Sequence, residues 1–166
     1  MPRSATSLAP RLLIRSSEIH AAGCYTLDAI PRGRRVAEYD GPRISKALAD
    51  QRYADRPVTY LFGFEDRTDV IDGFGAAMFI NHSCAPNCET ESHDGRVFIR
   101  AIRDIAPNEE LLYEYNLYDS DDTPQDCYCG APNCRGTMFS DWELQRQARA
   151  AKRKAAAEKR KTSKTV

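Results

Sequence analysis

Residues 79–88 read Phe79-Ile80-Asn81-His82-Ser83-Cys84-Ala85-Pro86-Asn87-Cys88. The string sets an amide, an imidazole and a thiol between an apolar entry and a Pro-Asn turn, with a second thiol directly after the turn. A second run comes late: Cys127-Tyr-Cys129-Gly-Ala-Pro-Asn-Cys134 brings three more thiols into one short loop. A structural zinc ion takes four soft or borderline ligands at the corners of a tetrahedron. The late loop supplies three, and its Gly130-Ala-Pro132 turn lets the backbone wrap an ion. Cys84 is the natural fourth ligand, with Cys88 as its competitor. A metal held this way would tie the C-terminal loop to the Asn81-His82 segment and complete whatever site lies between them.

The 166 residues are enough for one domain with a hydrophobic core. No apolar run approaches the roughly 20 residues that span a bilayer, so no membrane partner is expected. The start, Met1-Pro-Arg-Ser-Ala-Thr-Ser-Leu8, lacks the charged-then-apolar pattern of a secretory signal. Six cysteines could pair as disulfides in a secreted protein. Their clustering and the missing signal favour a metal with free thiols, in a reducing compartment such as the nucleus or cytoplasm. The net charge of zero hides a division. Residues 1–142 carry 15 Lys+Arg against 22 Asp+Glu, whereas 143–166 carry nine basic residues against Glu143 and Glu158. An acidic body suits a basic protein substrate. The basic tail is expected to begin as a helix and then fray. It reads as a solvated end, or as a nucleic-acid contact through residues 146–166. No aromatic interleaves the basic run, so base stacking is not indicated.

Strand-like alternation or β-rich composition marks residues 11–15, 24–27, 35–40, 58–64, 70–71, 96–102 and 111–115. Turn signals stand at Pro31-Arg-Gly33, Gly41-Pro42, Gly73-Phe-Gly75 and 105–109. Residues 43–57, with Ile44, Ala47, Leu48 and Tyr53, show helical spacing. Short strands, frequent turns and few helices predict a mostly β domain.

The Asn81-His82-Ser83-Cys84-Ala-Pro86-Asn87 string is followed by Glu110-Leu-Leu-Tyr113-Glu-Tyr115 and then by the CxCx4C loop. In this order they strongly resemble the SET-domain protein-lysine methyltransferases with a post-SET zinc loop. The likeness runs from about Ile14 to Phe139. It implies a β-clip-like fold of several small sheets with a pseudoknot, in which one segment threads a loop closed by the other. The corresponding division is a flexible leader at 1–10, a SET domain at 11–118, a post-SET zinc loop at 119–142 and a basic helical or disordered tail at 143–166. S-adenosylmethionine is the implied methyl donor, and the acceptor is a lysine of a histone or other basic protein. Self-methylation of the tail at Lys152-Arg-Lys154 or Lys159-Arg-Lys161 is open. The implied structural zinc ligands are Cys84, Cys127, Cys129 and Cys134.

Methyl transfer to an amine is an in-line displacement, so the lysine must arrive neutral although its free pKa is about 10.4. Burial beside a cationic sulfonium lowers that value. By resemblance, Tyr115 is the catalytic tyrosine, Tyr113 stands where the family carries Phe or Tyr, and Tyr39 lines the lysine channel. A phenol at 113 leaves less room for a growing methylammonium, which predicts mainly mono- or dimethyl-lysine. Asn81 and His82 match the donor-binding pair, joined by Tyr60, by His20 and Gly23 of the His20-Ala-Ala-Gly23 loop, and by Tyr128. Phe139 and Trp142 are further candidates to cover adenine and channel. Cys24 is expected to be a buried thiol. Ala21, Ala22, Met78 and Glu114 depart from the usual pattern, and alanine at 21 would be strained if the backbone there needs positive φ. These departures keep open a catalytically silent SET-like module that binds a basic partner. The tail keeps open a nucleic-acid binder.

Overall fold

A computed structural model describes residues 9–56, 58–64, 68–118 and 124–162, with the backbone alone at 158 and 160–162. Most of the expected leader, the first residues of the expected zinc loop and the end of the tail lie outside these. Small antiparallel sheets dominate. Strands β1 (Leu12–Ser16) and β2 (Ala22–Thr26) pair with each other. Strand β3 (Arg35–Glu38) joins β9 (Arg96–Ala101) and β8 (Cys88–His93) in the order β3-β9-β8. Strands β4 (Arg43–Ser45), β5 (Leu61–Gly63) and β6 (Asp69–Asp72) form a sheet ordered β4-β6-β5. The last pair, β7 (Asn81–His82) and β10 (Leu112–Tyr113), is parallel.

The central strand β9 shows how the sequence sorts itself. Val97, Ile99 and Ala101 are buried, and the alternate positions carry Arg96, Phe98 and Arg100. On that outer face Arg96 pairs with Glu38, Arg100 with Glu89, and Arg35 with Glu91 at 2.9 Å. Exposed pairs of this kind contribute about 0.2–1 kcal/mol each, so they set register more than stability. Beneath them Ile30, Val36, Ile80, Ile105 and Leu111 fill the core with Cys24 and Cys88. Cys24 is buried, as expected.

Residues 43–45 form β4, not the start of a helix. Their hydrogen bonds go to β6, and helix α1 (Lys46–Tyr53) begins only after Ser45, whose Oγ accepts from the Leu48 N–H. Asp72 of β6 takes hydrogen bonds from both Arg52 and Tyr53 and so fastens α1 to the sheet. Ala76–Phe79 is a 3₁₀ turn leading into β7. Strand β8 had no signal in the polar Glu89-Thr-Glu-Ser92 run. Its turn, Asp94-Gly95, has φ of 49° and 72°, the positive pair that a two-residue hairpin favours.

The β7–β10 pair organises the molecule. Leu112 registers with Asn81 and Tyr113 with His82. Asn87, almost fully buried, stitches the two segments: its Nδ2 donates to the Glu110 carbonyl at 2.7 Å, and its Oδ1 accepts from the Leu112 N–H at 2.8 Å. The chain then crosses to residues 137–140, where Leu117 N–H donates to the Met138 carbonyl and Ser140 N–H to the Leu117 carbonyl. Ser140 opens helix α2 (Asp141–Thr162), its Oγ accepting from Glu143 N–H at 3.2 Å. The Glu143 side chain, fully buried, is held by Arg146 and Gln147. No described helix is long and apolar enough to cross a membrane.

Candidate active site and metal centre

A cavity of about 570 Å³ lies between the β4-β6-β5 sheet, the β7–β10 pair, the 19–22 turn and the cysteine loop. Small organic ligands occupy spaces of roughly 300–1,000 Å³. His20, Tyr39, Tyr60, Asn81, His82, Tyr113, Tyr115 and Tyr128, all singled out from sequence, line it. Gly23 does not. It is buried in β2, where a Cβ would come 2.1 Å from Glu110 Oε1 and 2.9 Å from Ser17 Cβ, so its bareness makes room for Glu110. Phe139 is buried in a bridge with Leu117 and is not in the cavity lining. Trp142 sits on α2 in a shallow groove with Arg146, Arg149 and Arg153, apart from the cavity.

Aromatic rings build one wall. Tyr113 and Tyr115 have centroids 4.9 Å apart, and Tyr39 lies 5.2 Å from Phe62. Tyr115 Oη donates to the Ile80 carbonyl at 3.0 Å, which fixes the ring and leaves the oxygen lone pairs free to accept. Burial pushes the Tyr115 phenol up to about 12, and burial also raises Tyr39 and Tyr113. All three are neutral hydroxyls near pH 7. The Tyr113 hydroxyl has no hydrogen-bond partner among the described residues.

Asn81 is held at its nitrogen. Nδ2 donates to the Ala22 carbonyl at 3.0 Å and to Glu110 Oε1 at 2.9 Å, while the other Glu110 oxygen accepts from Tyr25 Oη at 2.9 Å. Sequence reasoning passed over Glu110 and Tyr25, since nothing in Glu109-Glu110 tells which carboxylate turns inward. Ala21, beside this network, has φ of 25°, in the region that favours glycine.

The four thiols of Cys84, Cys127, Cys129 and Cys134 lie within 4.8 Å of one another. Cys84 and Cys127 sulfurs are 3.8 Å apart, and Cys127 and Cys134 sulfurs 3.6 Å apart. A tetrahedral zinc with bonds of about 2.3 Å spaces its sulfurs at about 3.8 Å. Backbone N–H groups aim at the sulfurs: Cys84 N at Cys129 Sγ and Arg135 N at Cys84 Sγ, each 3.4 Å, and Gly136 N at Cys134 Sγ, 3.5 Å. Such donors favour thiolates, so distance and chemistry both fit the ion. Cys88 is buried in the core among apolar residues, outside this group. The loop carrying three of the sulfurs also presents Asp126, Tyr128 and Cys129 to the cavity.

His82 stands where cavity and sulfurs meet. Its ring is 3% exposed, and burial, aided by the Arg135 charge, lowers it to about 4. Nδ1 accepts from the Tyr115 N–H at 3.2 Å, and Nε2 lies 3.5 Å from Cys84 Sγ. Glu114 Oε1 approaches Nδ1 at 3.3 Å, while Glu114 Oε2 takes a hydrogen bond from Arg135 at 2.8 Å. Arg135 reaches Asp141 as well, at 3.1 Å. It is a third residue that sequence reasoning missed; its one signal was a cation directly after the last loop cysteine.

Residues 21–116 match the family described as SET domain. A protein of Saccharomyces cerevisiae named "Histone-lysine N-methyltransferase, H3 lysine-4 specific" is 39% identical over 141 residues, covering 76% of this chain and 13% of that protein. Proteins of the same name from Eremothecium gossypii and Candida albicans are 40% and 38% identical over 136 residues, each covering 74% of this chain and 14% and 13% of their own lengths. The chain thus spans a small part of the length of these relatives. The small sheets, the parallel β7–β10 pair and the match over more than half of its length agree: the chain belongs to the SET-domain family.

Proposed function

We propose that this chain is a zinc-stapled protein-lysine methyltransferase that uses S-adenosylmethionine. The observation that carries the reading is the cavity itself, which joins Tyr115, Tyr113, Tyr39 and Asn81 on one side to the four-cysteine loop on the other. A 570 Å³ space with an aromatic wall and the Asn81 amide fits a donor with an apolar ring and a charged amino-acid end. When bound, S-adenosylmethionine supplies an electrophilic methyl group on a sulfonium.

The residues of this chain then act as follows. Asn81, with both amide protons committed, turns Oδ1 toward a ligand donor such as an ammonium. His20, Tyr60 and Tyr128 border the same space. The Tyr39, Phe62 and Tyr113 rings exclude water around the incoming lysine, whose amine loses its proton more readily there. Tyr115 Oη, steadied by the Ile80 carbonyl, offers its lone pairs where methyl and amine meet. No strong base is needed. Aligning two reactants can lower a barrier by about 7–11 kcal/mol.

The relatives are named for lysine 4 of histone H3, and the acidic body of this chain suits a basic histone tail. We therefore infer a histone lysine as acceptor and a compartment reducing enough to keep all six cysteines free, the nucleus fitting both. Tyr113 limits the product to mono- or dimethyl-lysine. The test is isothermal titration with S-adenosylmethionine, followed by mass spectrometry of histones incubated with donor and protein. Donor binding with chiefly mono- or dimethylated histone peptides is expected. No donor binding would favour the silent module, and chiefly trimethyl-lysine would remove Tyr113 as the limit.

A further inference from the structure

We infer that the side chain of His82 is a positioning residue that couples the metal centre to Tyr115. This rests on zinc occupying the four thiolates, as proposed above. The ring lies between the two: Nε2 is 3.5 Å from Cys84 Sγ, Nδ1 accepts the Tyr115 N–H at 3.2 Å, and the His82 and Tyr115 rings meet edge-on with centroids 5.4 Å apart.

Hydrogen-bond bookkeeping selects one arrangement. A metal-bound Cys84 thiolate is an acceptor only, so Nε2 must carry the proton. Nδ1 is then an acceptor, which is what the Tyr115 N–H requires. The other neutral tautomer sets a lone pair against the thiolate and leaves the part-buried Tyr115 N–H unpaired. An imidazolium would serve Cys84 and Glu114 but would again orphan Tyr115. Glu114 Oε1 also lies 3.3 Å from Nδ1, so this arrangement requires that oxygen to stand off the lone-pair axis, held by the Asn116 N–H while Arg135 engages Oε2. One neutral imidazole thus holds the Cys84 sulfur with one nitrogen and the Tyr115 backbone with the other. Partners just outside a metal's ligands that orient them typically change affinity or activity by 10- to 100-fold when removed. Here the same ring also orients the residue that meets the reacting atoms. The loop metal therefore reaches Tyr115 through a path of two hydrogen bonds.

The experiment replaces zinc with cadmium-113 in the full chain and seeks a proton–cadmium correlation transmitted across the Nε2–H···S bond. A correlation from the His82 ring proton, with a cadmium shift typical of four sulfurs, is the expected result. A four-sulfur cadmium signal without that correlation overturns this inference and leaves the metal reading intact. Failure to bind cadmium through the four thiolates overturns both. His82→Gln, which retains a donor near Nε2, and His82→Phe, which retains neither nitrogen, give the second measurement. In His82→Phe with metal retained, the Tyr115 amide should lose hydrogen-exchange protection and kcat should fall by at least 10-fold. His82→Gln should restore the cadmium shift but not the amide protection. Unchanged protection in His82→Phe would overturn the coupling.

Discussion

Asn81 Nδ2 lies 2.9 Å from Glu110 Oε1, and this contact decides which way the Asn81 amide faces. Both acceptors around the nitrogen, Glu110 and the Ala22 carbonyl, exclude the flipped amide. Glu110→Ala should free the amide to turn and weaken S-adenosylmethionine binding about 10-fold, the scale of one hydrogen bond to a charged group. Titration calorimetry on the folded variant would show it. An unchanged affinity would mean that the amide orientation carries no binding energy.

Tyr115→Phe removes the hydroxyl and keeps the ring that packs against Tyr113 and His82. Donor affinity should stay within about 2-fold while kcat drops by about 100-fold or more, as when a preorganised polar group is lost from other active sites. Because burial holds the phenol near 12, the pH–rate profile should show no ionisation of Tyr115 below pH 10. Equal rates for variant and parent would exclude it from the chemistry.

Metal analysis should find one zinc per chain. Chelation, or Cys129→Ser, should abolish activity while far-UV circular dichroism keeps much of its β signature, because the β3-β9-β8 core does not depend on the loop. Full activity of metal-free protein would refute the stapled architecture.

Ala21 holds a backbone angle that L-residues adopt at a cost of about 1–2 kcal/mol. Ala21→Gly should therefore stabilise the fold by about 1 kcal/mol, less the greater freedom that glycine has when unfolded, and raise Tm by about 2–4 °C. Calorimetry decides it, and a lower Tm would mean that the turn relaxes without glycine.

Asp72 makes a pH test. The Tyr53 hydrogen bond, with Arg52 alongside, holds its carboxyl below the usual range against the opposing effect of burial. A depressed folded value stabilises the protein above the unfolded pKa of about 3.9, and that contribution is lost as pH falls through the folded value. Asp72→Asn should cost about 1–2 kcal/mol at pH 7, with Arg52 40% exposed and partly screened. In urea titrations the gap between parent and variant should begin to narrow near pH 4 and close only below the folded value. A gap that stays at its full size as pH falls below about 3 would assign the effect to packing.

The parts of this fold legible in the sequence are those whose chemistry is local. Val97, Ile99 and Ala101 alternate, so β9 announces itself, and the close spacing of Cys127, Cys129 and Cys134 does the same for the cysteine cluster. Strand β8 was silent because it lies at the edge of its sheet with little but Cys88 buried, so its side chains carry no alternation. The apolar 111–115 run looked like a full strand, yet only Leu112 and Tyr113 pair, since β7 offers two residues to pair with. Tyr115, Asn81 and His82 were visible through a rare string. Glu110, Arg135 and the His82 Nδ1 contact were not, because Asn81, Cys84 and Tyr115, their respective partners, are 29, 51 and 33 residues away and no local pattern encodes them.

The sulfur cluster takes one member from position 84 and three from 127–134. During translation, Tyr115 and Asn81 leave the ribosome before the last three sulfurs do. A nascent chain stalled before Cys127 would own the Tyr115 phenol and lack the wall beside it. Under the proposed mechanism, competence thus waits for residues 127–134 to emerge.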